Sequence, residues 1–323
     1  MTQDSGIKMP MQCWPSIAQY SRTLKMKGGP LFYYDTGGTG TKNQQALILV
    51  HGLGDESDSW RFMIPLLLKK GFRVIAPDLP GFGRSTGSDP GSEVSYNTGI
   101  KWKDKISINN HIETVLALMV QTNAAGKENP AIVIGSSMGA MIAQGAAAKR
   151  PDLVKSLILI DGCHPLSGGF NPGLLLMAFP FIGRKWYRNF RKNHEGAWKS
   201  LYSYYRDLDA MSQEDKAFLR NRVIDRVESS SQEQAYFSSL RSLIGLNIFQ
   251  RAAFSRSMSK FTGKILLLWG EADTVIPFEN TSLFRQIHAD ADFRKVHNAG
   301  HLPHQEVPSE TADLITGWLE TLQ

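Results

Sequence analysis

The residue best suited to chemistry is a serine inside the pentapeptide Gly-Ser-Ser-Met-Gly at positions 135–139. An apolar run precedes it at 131–134, and a stretch of small residues follows at 140–148. A G-x-S-x-G pattern between a buried strand and a helix is typical of a nucleophile elbow, because its glycines permit a tight turn. Ser137 would then stand exposed as a nucleophile, although a plain strand-to-helix turn has the same short pattern.

A serine hydroxyl attacks efficiently only when a histidine removes its proton and a carboxylate orients that histidine. Both residue types follow Ser137 in the order that this kind of elbow requires. Asp273 lies in Gly-Glu-Ala-Asp-Thr-Val-Ile-Pro, directly after an apolar run at 265–269, and His301 lies in Asn-Ala-Gly-His-Leu-Pro. These spacings predict a catalytic group of Ser137, Asp273 and His301.

Two backbone N–H groups are candidates for stabilising the negative charge on an attacked carbonyl oxygen. One belongs to Met138, at the start of the helix predicted after the elbow. The other belongs to Leu53, because the apolar run at 46–50 leads into His51-Gly52-Leu53-Gly54. Three separate stretches therefore converge on acyl transfer.

Together, five motifs resemble the α/β-hydrolase superfamily from about residue 31 to the C-terminus, apart from the middle of the chain. The resemblance implies an α/β fold with a mostly parallel eight-stranded sheet, helices on both faces and a site at the carboxyl ends of the strands. Dehalogenases and epoxide hydrolases of this superfamily carry aspartate where this chain has Ser137, so acyl transfer is favoured over an alkyl-enzyme. The motifs are His51-Gly52-Leu53-Gly54, the segment Asp-Leu-Pro-Gly-Phe-Gly-Arg-Ser at 78–85, the elbow, the acid loop and the histidine loop.

The resemblance also leaves competitors for two roles. Asp161 ends another predicted strand, and some members of the superfamily take their acid from that position, whereas the setting of Asp273 matches the usual acid loop. His297 and His304 flank His301, but only His301 follows a glycine in the Gly-His-Leu-Pro pattern. Asp273 and His301 are the favoured assignments.

Five short apolar runs, spaced by segments of helix length, predict buried parallel strands that would position these loops. Residues 1–23 are interpreted as an N-terminal extension before the first core strand. The core is predicted to comprise residues 1–162 and 261–323. The predicted strands are 47–50, 74–76, 132–134, 157–160 and 265–269.

Residues 163–260 interrupt this rhythm of strands, and the resemblance implies a helical cap there. The segment holds 15 Lys and Arg against 8 Asp and Glu, a net charge of +7, which leaves −1 for the rest of the chain. An apolar run at 174–182, followed by a basic run at 184–192, would suit an anionic substrate or a weak contact with a membrane surface. Packing of the apolar run onto the core is the favoured alternative, because Pro180 and Gly183 would break a long amphipathic helix.

Composition excludes several classes. The two cysteines lie far apart and the histidines lack metal-ligand spacing, so neither a disulfide framework nor a metal site is expected. A polar N-terminus without an apolar leader and the absence of a bilayer-length run predict a cytoplasmic location. No nucleic-acid-binding motif is present. The proposed chemistry needs no cofactor.

The predicted function is therefore a serine hydrolase of carboxylic esters, with a small-molecule substrate that carries an apolar acyl or aryl group. A C–C bond hydrolase, an amidase or peptidase, and a ligand receptor with little turnover remain alternatives. Leu302 and Met138 stand where related C–C hydrolases and prolyl iminopeptidases usually carry tryptophan, which weakens those two alternatives. The sequence does not determine the oligomeric state. Candidate substrate-binding residues are His51, Gly52, Ser136, His164 and Trp186, and further candidates for the cleft lining are Phe170, Met177, Phe181, Tyr202, Tyr205 and Phe237.

Overall fold

An eight-stranded sheet forms the centre of the molecule, as predicted. The computed structural model describes residues 11–26, 29–37, 44–86, 95–96, 100–101, 106–167 and 172–322. The strands are β1 (Ser21–Met26), β2 (Gly29–Asp35), β3 (Ala46–Val50), β4 (Arg73–Pro77), β5 (Ser95–Tyr96), β6 (Ile100–Lys101), β7 (Ala131–Ser136), β8 (Val154–Ile160), β9 (Lys264–Gly270) and β10 (Asp292–Val296).

The large sheet has the order β1-β2-β4-β3-β7-β8-β9-β10, and β5 pairs with β6 in a separate hairpin. Strands β1, β2 and β4 are joined by antiparallel pairings, and every other pairing of the large sheet is parallel. The carboxyl ends of β3, β7, β8 and β9 therefore meet at one edge. The loops that carry the predicted chemistry leave the sheet at that edge.

All five predicted strands are present, because their central residues are buried on both faces of the sheet. Alternate residues point to opposite layers: Ile48 and Val50 pack into one hydrophobic cluster, whereas Leu47 and Leu49 pack into another. Strands β1, β2 and β10 are missing from the sequence prediction. Each mixes exposed and buried positions, so none reads as a continuous apolar run.

Helices cover both faces of the sheet. α2 and α3 pack on the layer that includes Ile48, and α1 and α12 pack on the opposite layer. Within the described residues, no helix is long and apolar enough to cross a bilayer. The helices are α1 (Met63–Lys69), α2 (Ile108–Gln121), α3 (Met138–Lys149), α4 (Pro172–Ala178), α5 (Pro180–Lys192), α6 (His194–Lys199), α7 (Gln213–Glu228), α8 (Ser230–Phe249), α9 (Arg251–Met258), α10 (Ser282–Ile287), α11 (Pro303–Glu306) and α12 (Pro308–Glu320).

The N-terminal extension is shorter than predicted. Strand β1 begins at Ser21 and forms an edge of the sheet, so the last residues of the predicted extension belong to the core. A short 3₁₀ helix at Pro15–Tyr20 precedes it and buries Ile17 completely. Residues 1–10 lie outside the described part of the chain.

Six helices, α4 to α9, lie between β8 and β9, and we call residues 163–260 the insert. The predicted boundary at Gly168-Gly169 falls outside the described residues. Chain direction changes at Pro180, as expected, but Gly183 lies within α5 and does not break it. A Cβ atom on Gly183 would lie 1.9 Å from the Met177 carbonyl oxygen, so glycine is what lets α5 approach α4 closely.

The favoured interpretation of the apolar run at 174–182, packing onto the core, is wrong for much of the run. Met177 and Ala178 are half-buried against the insert's own hydrophobic cluster. Their neighbours project to solvent, and Phe181 is 90% exposed. The reason is that α4 and α5 bury one narrow face against α8, which leaves their other apolar residues uncovered. The exposed members are Leu175, Leu176, Phe179, Phe181 and Ile182.

Candidate active site

Ser137 occupies a strained turn between β7 and α3. Its φ and ψ are 53° and −117°, a region that residues with a Cβ seldom adopt. Glycines on either side make the turn possible: a Cβ on Gly135 would lie 2.2 Å from the Gly139 carbonyl oxygen, and one on Gly139 would lie 2.1 Å from the Val50 carbonyl oxygen. The Ser137 N–H donates a 2.9 Å hydrogen bond to Ile160, which fixes the turn to β8. Such local strain is characteristic of functional positions.

The turn after β3 lies directly against Ser137. A Cβ on Gly52 would contact the Ser137 Cβ at 3.3 Å, so the two backbones approach as closely as side chains allow. Within the described residues, no acceptor pairs with the backbone N–H of Leu53 or of Met138, the first residue of α3. Two unpaired donors thus flank the serine, as an oxyanion hole requires.

His51 holds this turn in place rather than facing the cavity. The Leu79 N–H donates to His51 Nε2 at 2.9 Å, so Nδ1 carries the proton and donates to the Gly52 carbonyl at 2.8 Å. Complete burial lowers the pKa of His51, which keeps the ring neutral. His51 therefore shapes the turn that presents Leu53.

Asp273 and His301 meet above the carboxyl end of β9. His301 Nδ1 and Asp273 Oδ2 lie 2.8 Å apart, and both side chains are buried. The other carboxylate oxygen of Asp273 accepts hydrogen bonds from Val275 and Ile276, at 2.8 and 3.0 Å. Three donors thus favour the ionised form of Asp273, and the contact fixes the orientation of the imidazole.

Asp161, the competing acid, lies behind this pair. Its Oδ1 accepts a 2.8 Å hydrogen bond from the Gly270 N–H, and its Oδ2 has no partner among the described residues. Ligand atoms of Asp161, Asp273 and His301 fall within 4.8 Å of one another. Burial, and then the charge of Asp273, raise the pKa of Asp161 well above its usual value. A protonated Asp161 beside an ionised Asp273 satisfies this cluster without a metal ion.

Two cavities meet at Ser137 and His301. The larger, about 530 Å³, extends beneath α4, α5 and α7, and the smaller, about 280 Å³, extends toward Met141 and Leu166. Leu53, Tyr204 and Tyr236 line both. The remaining lining is mostly apolar in each case. A substrate with an apolar group on each side of a central carbonyl would fit this shape.

The predicted substrate-binding residues divide into two groups. Gly52 and Trp186 line the larger cavity. His51, Ser136 and His164 line neither cavity, because their side chains are buried in the core. His164 contacts the Asn247 side-chain oxygen through Nδ1 at 2.9 Å and packs edge-on against Phe254, and burial lowers its pKa to about 4.

Among the further lining candidates, Met177 and Tyr205 do line the larger cavity. Phe181 and Tyr202 are exposed, Phe237 is buried inside the insert, and Phe170 lies outside the described residues. Sequence reasoning missed Tyr204 and Tyr236, although it selected the neighbours of both. Only the rotation of each helical segment about its axis distinguishes one aromatic residue from the next, and periodicity did not determine that rotation.

Arg226 of α7 ties the insert to the turn that presents Leu53. Its guanidinium donates to both carboxylate oxygens of Glu56, at 2.7 and 2.8 Å, and also to Asp55. All three side chains are largely buried. Burial raises the pKa of Glu56 to about 7, against the opposing effect of Arg226. One arginine among many in a basic segment carries no sequence signal for this role.

Replacing Arg226 with methionine is expected to lower the free energy of unfolding by about 3–5 kcal/mol, because two carboxylates would remain buried without a counter-ion. Their folded pKa values would rise, so the folded variant would hold protons that the unfolded chain releases above about pH 4. Its deficit should therefore be larger at pH 8 than at pH 5. Urea unfolding at both pH values measures this. Arg220→Met, on the exposed face of the same helix, is the matched control and should change little. Equal losses in the two variants would contradict the buried-pair argument.

Comparisons with known proteins agree with this geometry. A family model of the alpha/beta hydrolase fold matches residues 45–308. Lipase 1 of Psychrobacter immobilis is 27% identical over 92% of this chain and 86% of its own length. The uncharacterized hydrolase YugF of Bacillus subtilis is 25% identical over 84% of this chain and 88% of its own. A solved thermophilic esterase from Thermogutta terrifontis superposes with a TM-score of 0.68 at 19% identity, covering 93% of this chain and 98% of that one, which is a likeness of fold.

Proposed function

Because the chain belongs to the α/β-hydrolase fold family and is a hydrolase with lipases among its relatives, we propose that it cleaves carboxylic esters through Ser137. The observation that carries the proposal is the 2.8 Å contact between His301 and Asp273, at a cavity that Ser137 also lines. Strain at Ser137 and the two unpaired N–H groups beside it support the same role. No metal or organic cofactor has a part in this chemistry.

In the proposed reaction, His301 removes the Ser137 proton while the serine oxygen attacks the ester carbonyl. Asp273 orients the imidazole and stabilises the imidazolium. The N–H groups of Leu53 and Met138 donate to the oxyanion of the tetrahedral intermediate. The intermediate collapses to an acyl-enzyme as the alcohol leaves with a proton from His301. Water then attacks the acyl-enzyme by the same sequence, which releases the acid and regenerates Ser137.

The two cavities suggest the substrate class. An ester carbonyl at Ser137 has an acyl group on one side and an alkoxy group on the other, and each cavity would take one of them. Both linings are mostly apolar, and the larger volume of about 530 Å³ favours an extended acyl chain or an aryl group.

We further propose that the insert acts as a cap over the site. Its Tyr204 carbonyl accepts a 2.8 Å hydrogen bond from the His301 N–H, and its Arg226 contacts the turn that presents Leu53. Both loops of the proposed machinery are thus tied to residues of the insert. A cap in this position would exclude water from one side of the acyl-enzyme.

Hydrolysis of p-nitrophenyl esters from acetate to palmitate tests the function and measures its chain-length preference. A fluorophosphonate probe, which forms a covalent bond only with an activated serine, tests the assembled site independently of the substrate. We expect turnover of at least one ester and labelling at Ser137. Failure of both would contradict a serine hydrolase.

Labelling without ester hydrolysis would overturn the ester assignment alone. It would leave a selective serine site and favour a C–C or amide substrate. A single slow turnover with retained product would favour a ligand receptor instead. These outcomes are separated by following product release after mixing enzyme and ester at equal concentrations.

A further inference from the structure

One face of the insert combines exposed apolar side chains with unpaired positive charge. We call it the aromatic–basic surface. Its apolar members have exposed fractions that reach 90% at Phe181 and 84% at Phe249. Its basic members lie along α5 and on the neighbouring α8. The surface comprises Leu175, Leu176, Phe179, Phe181, Ile182, Trp186, Ile248 and Phe249, with Arg184, Lys185, Lys192 and Arg241.

Helix packing brings these residues together. α8 contacts both α4 and α5. Ile244 of α8 and Met177 of α4 pack against the same buried cluster, and Ile248 lies one helical turn beyond Ile244. On α5, a shallow groove is lined by Phe181 together with Arg184, Lys185 and Lys192.

The positive charge of the surface is not neutralised by the chain itself. Residues 172–192 contain five Lys and Arg, residues 234–264 contain another five, and neither stretch contains an Asp or Glu. Glu233 pairs with Arg188 and Arg191. Within the described ranges, no carboxylate lies at ion-pair distance from Arg184, Lys185 or Lys192.

Two arginines are held close together despite their like charges. Arg184 Nε and Arg241 Nη1 are both buried and lack hydrogen-bond partners in the described part of the chain. Burial and the charge of Arg184 lower the pKa of Arg241. Such a pair of guanidinium groups is suited to an oxyanion such as a phosphate group.

We propose that the aromatic–basic surface binds the face of a bilayer that contains anionic lipids. Phe181 and Phe249 would enter the boundary between headgroups and acyl chains, and the basic groups would contact lipid phosphates. An amphipathic face with aromatic residues beside Lys and Arg has the composition that interfacial binding requires. A second copy of the chain fits poorly, because a two-fold contact would place cations opposite cations.

The position of the surface relative to the cavity adds a consequence that rests on the proposed function. Trp186 lines the larger cavity and is also 47% exposed. Gly173 and Met177 of α4 line the same cavity. The helices that would touch lipid therefore also form one wall of the proposed substrate site. An apolar ester dissolved in the bilayer would have a short path to Ser137.

Vesicle flotation of the full chain tests binding without reference to catalysis. We expect binding to vesicles of phosphatidylglycerol and phosphatidylcholine, weaker binding to phosphatidylcholine alone, and loss of affinity as salt rises. Lys185→Glu with Lys192→Glu should lower the partition coefficient for anionic vesicles at least about tenfold, since each basic group contributes to the attraction. Phe181→Ser with Phe249→Ser should lower it for both compositions.

Matched controls lie elsewhere on the surface. Lys69→Glu with Lys264→Glu alters the same charge, and Val120→Ser with Ile287→Ser removes comparably exposed apolar groups. These controls should bind like the wild type, and all variants should keep the wild-type melting temperature. Absence of binding, or equal losses in variants and controls, would overturn the proposal. A dimer in solution that the Phe181 and Phe249 changes dissociate would also overturn it, in favour of a second copy.

Discussion

Replacing Ser137 with alanine is expected to lower kcat for a p-nitrophenyl ester by about 10⁶-fold, the effect of losing the nucleophile of a serine triad. Ser137 supplies the oxygen that becomes acylated, and no neighbouring group can substitute for it. Alanine has the same backbone demand at φ 53°, so the elbow and its hydrogen bond to Ile160 should persist. The melting temperature should therefore stay within a few degrees of the wild-type value.

Ser136 provides the matched control. It precedes the nucleophile, is buried, and lines neither cavity. Ser136→Ala should keep kcat within about tenfold of the wild type and should still react with a fluorophosphonate probe. Ser137→Ala should lose that labelling completely. If Ser137→Ala kept more than about 1% of wild-type activity, the proposed nucleophile would be wrong.

The central strands and the loops of the site were predictable because their signals are local. A strand buried on both faces reads as an unbroken apolar run, and an elbow between strand and helix needs glycines at fixed offsets. Gly135 and Gly139 are such positions, since a side chain on either would collide with neighbouring backbone. The resemblance then extended these local signals to the whole eight-stranded sheet.

Other parts depend on contacts that no local pattern encodes. Strands β1 and β10 are sheet edges, where half the side chains meet solvent and the apolar signal is diluted. Arg226 meets Glu56 across a sequence separation of 170 residues, and only the packing of α7 against the turn after β3 selects it from the other arginines of the insert.

The insert shows the same limit in its aromatic residues. Phe181, Tyr236 and Phe237 are equally apolar by sequence, yet one faces solvent, one lines the cavities and one lies in the insert's own core. Their fates follow from how α4, α5 and α8 are rotated against each other. Substrate recognition and surface contacts both depend on that rotation, so they were the least predictable features of the chain.

Exchange of Asp273 for asparagine is expected to lower kcat by about 10⁴-fold, as loss of the charge behind a catalytic histidine does elsewhere. The new side chain would present an amide toward His301 Nδ1 and stabilise the tautomer that carries its proton on Nε2. That tautomer cannot remove the Ser137 proton. The imidazolium formed in the reaction would also lose its counter-charge. The pH dependence of kcat and kcat/KM for one ester, compared between variant and wild type, measures both effects.

Asp161→Asn is the decisive comparison, because Asp161 is the alternative acid. The substituted side chain could still accept from the Gly270 N–H through its oxygen, and its amide could donate toward Asp273 as a protonated carboxyl would. Activity within about tenfold of the wild type is therefore expected. The double variant should resemble Asp273→Asn alone if Asp161 only supports its neighbour. A larger loss in Asp161→Asn than in Asp273→Asn would instead make Asp161 the acid of the triad and reverse the assignment.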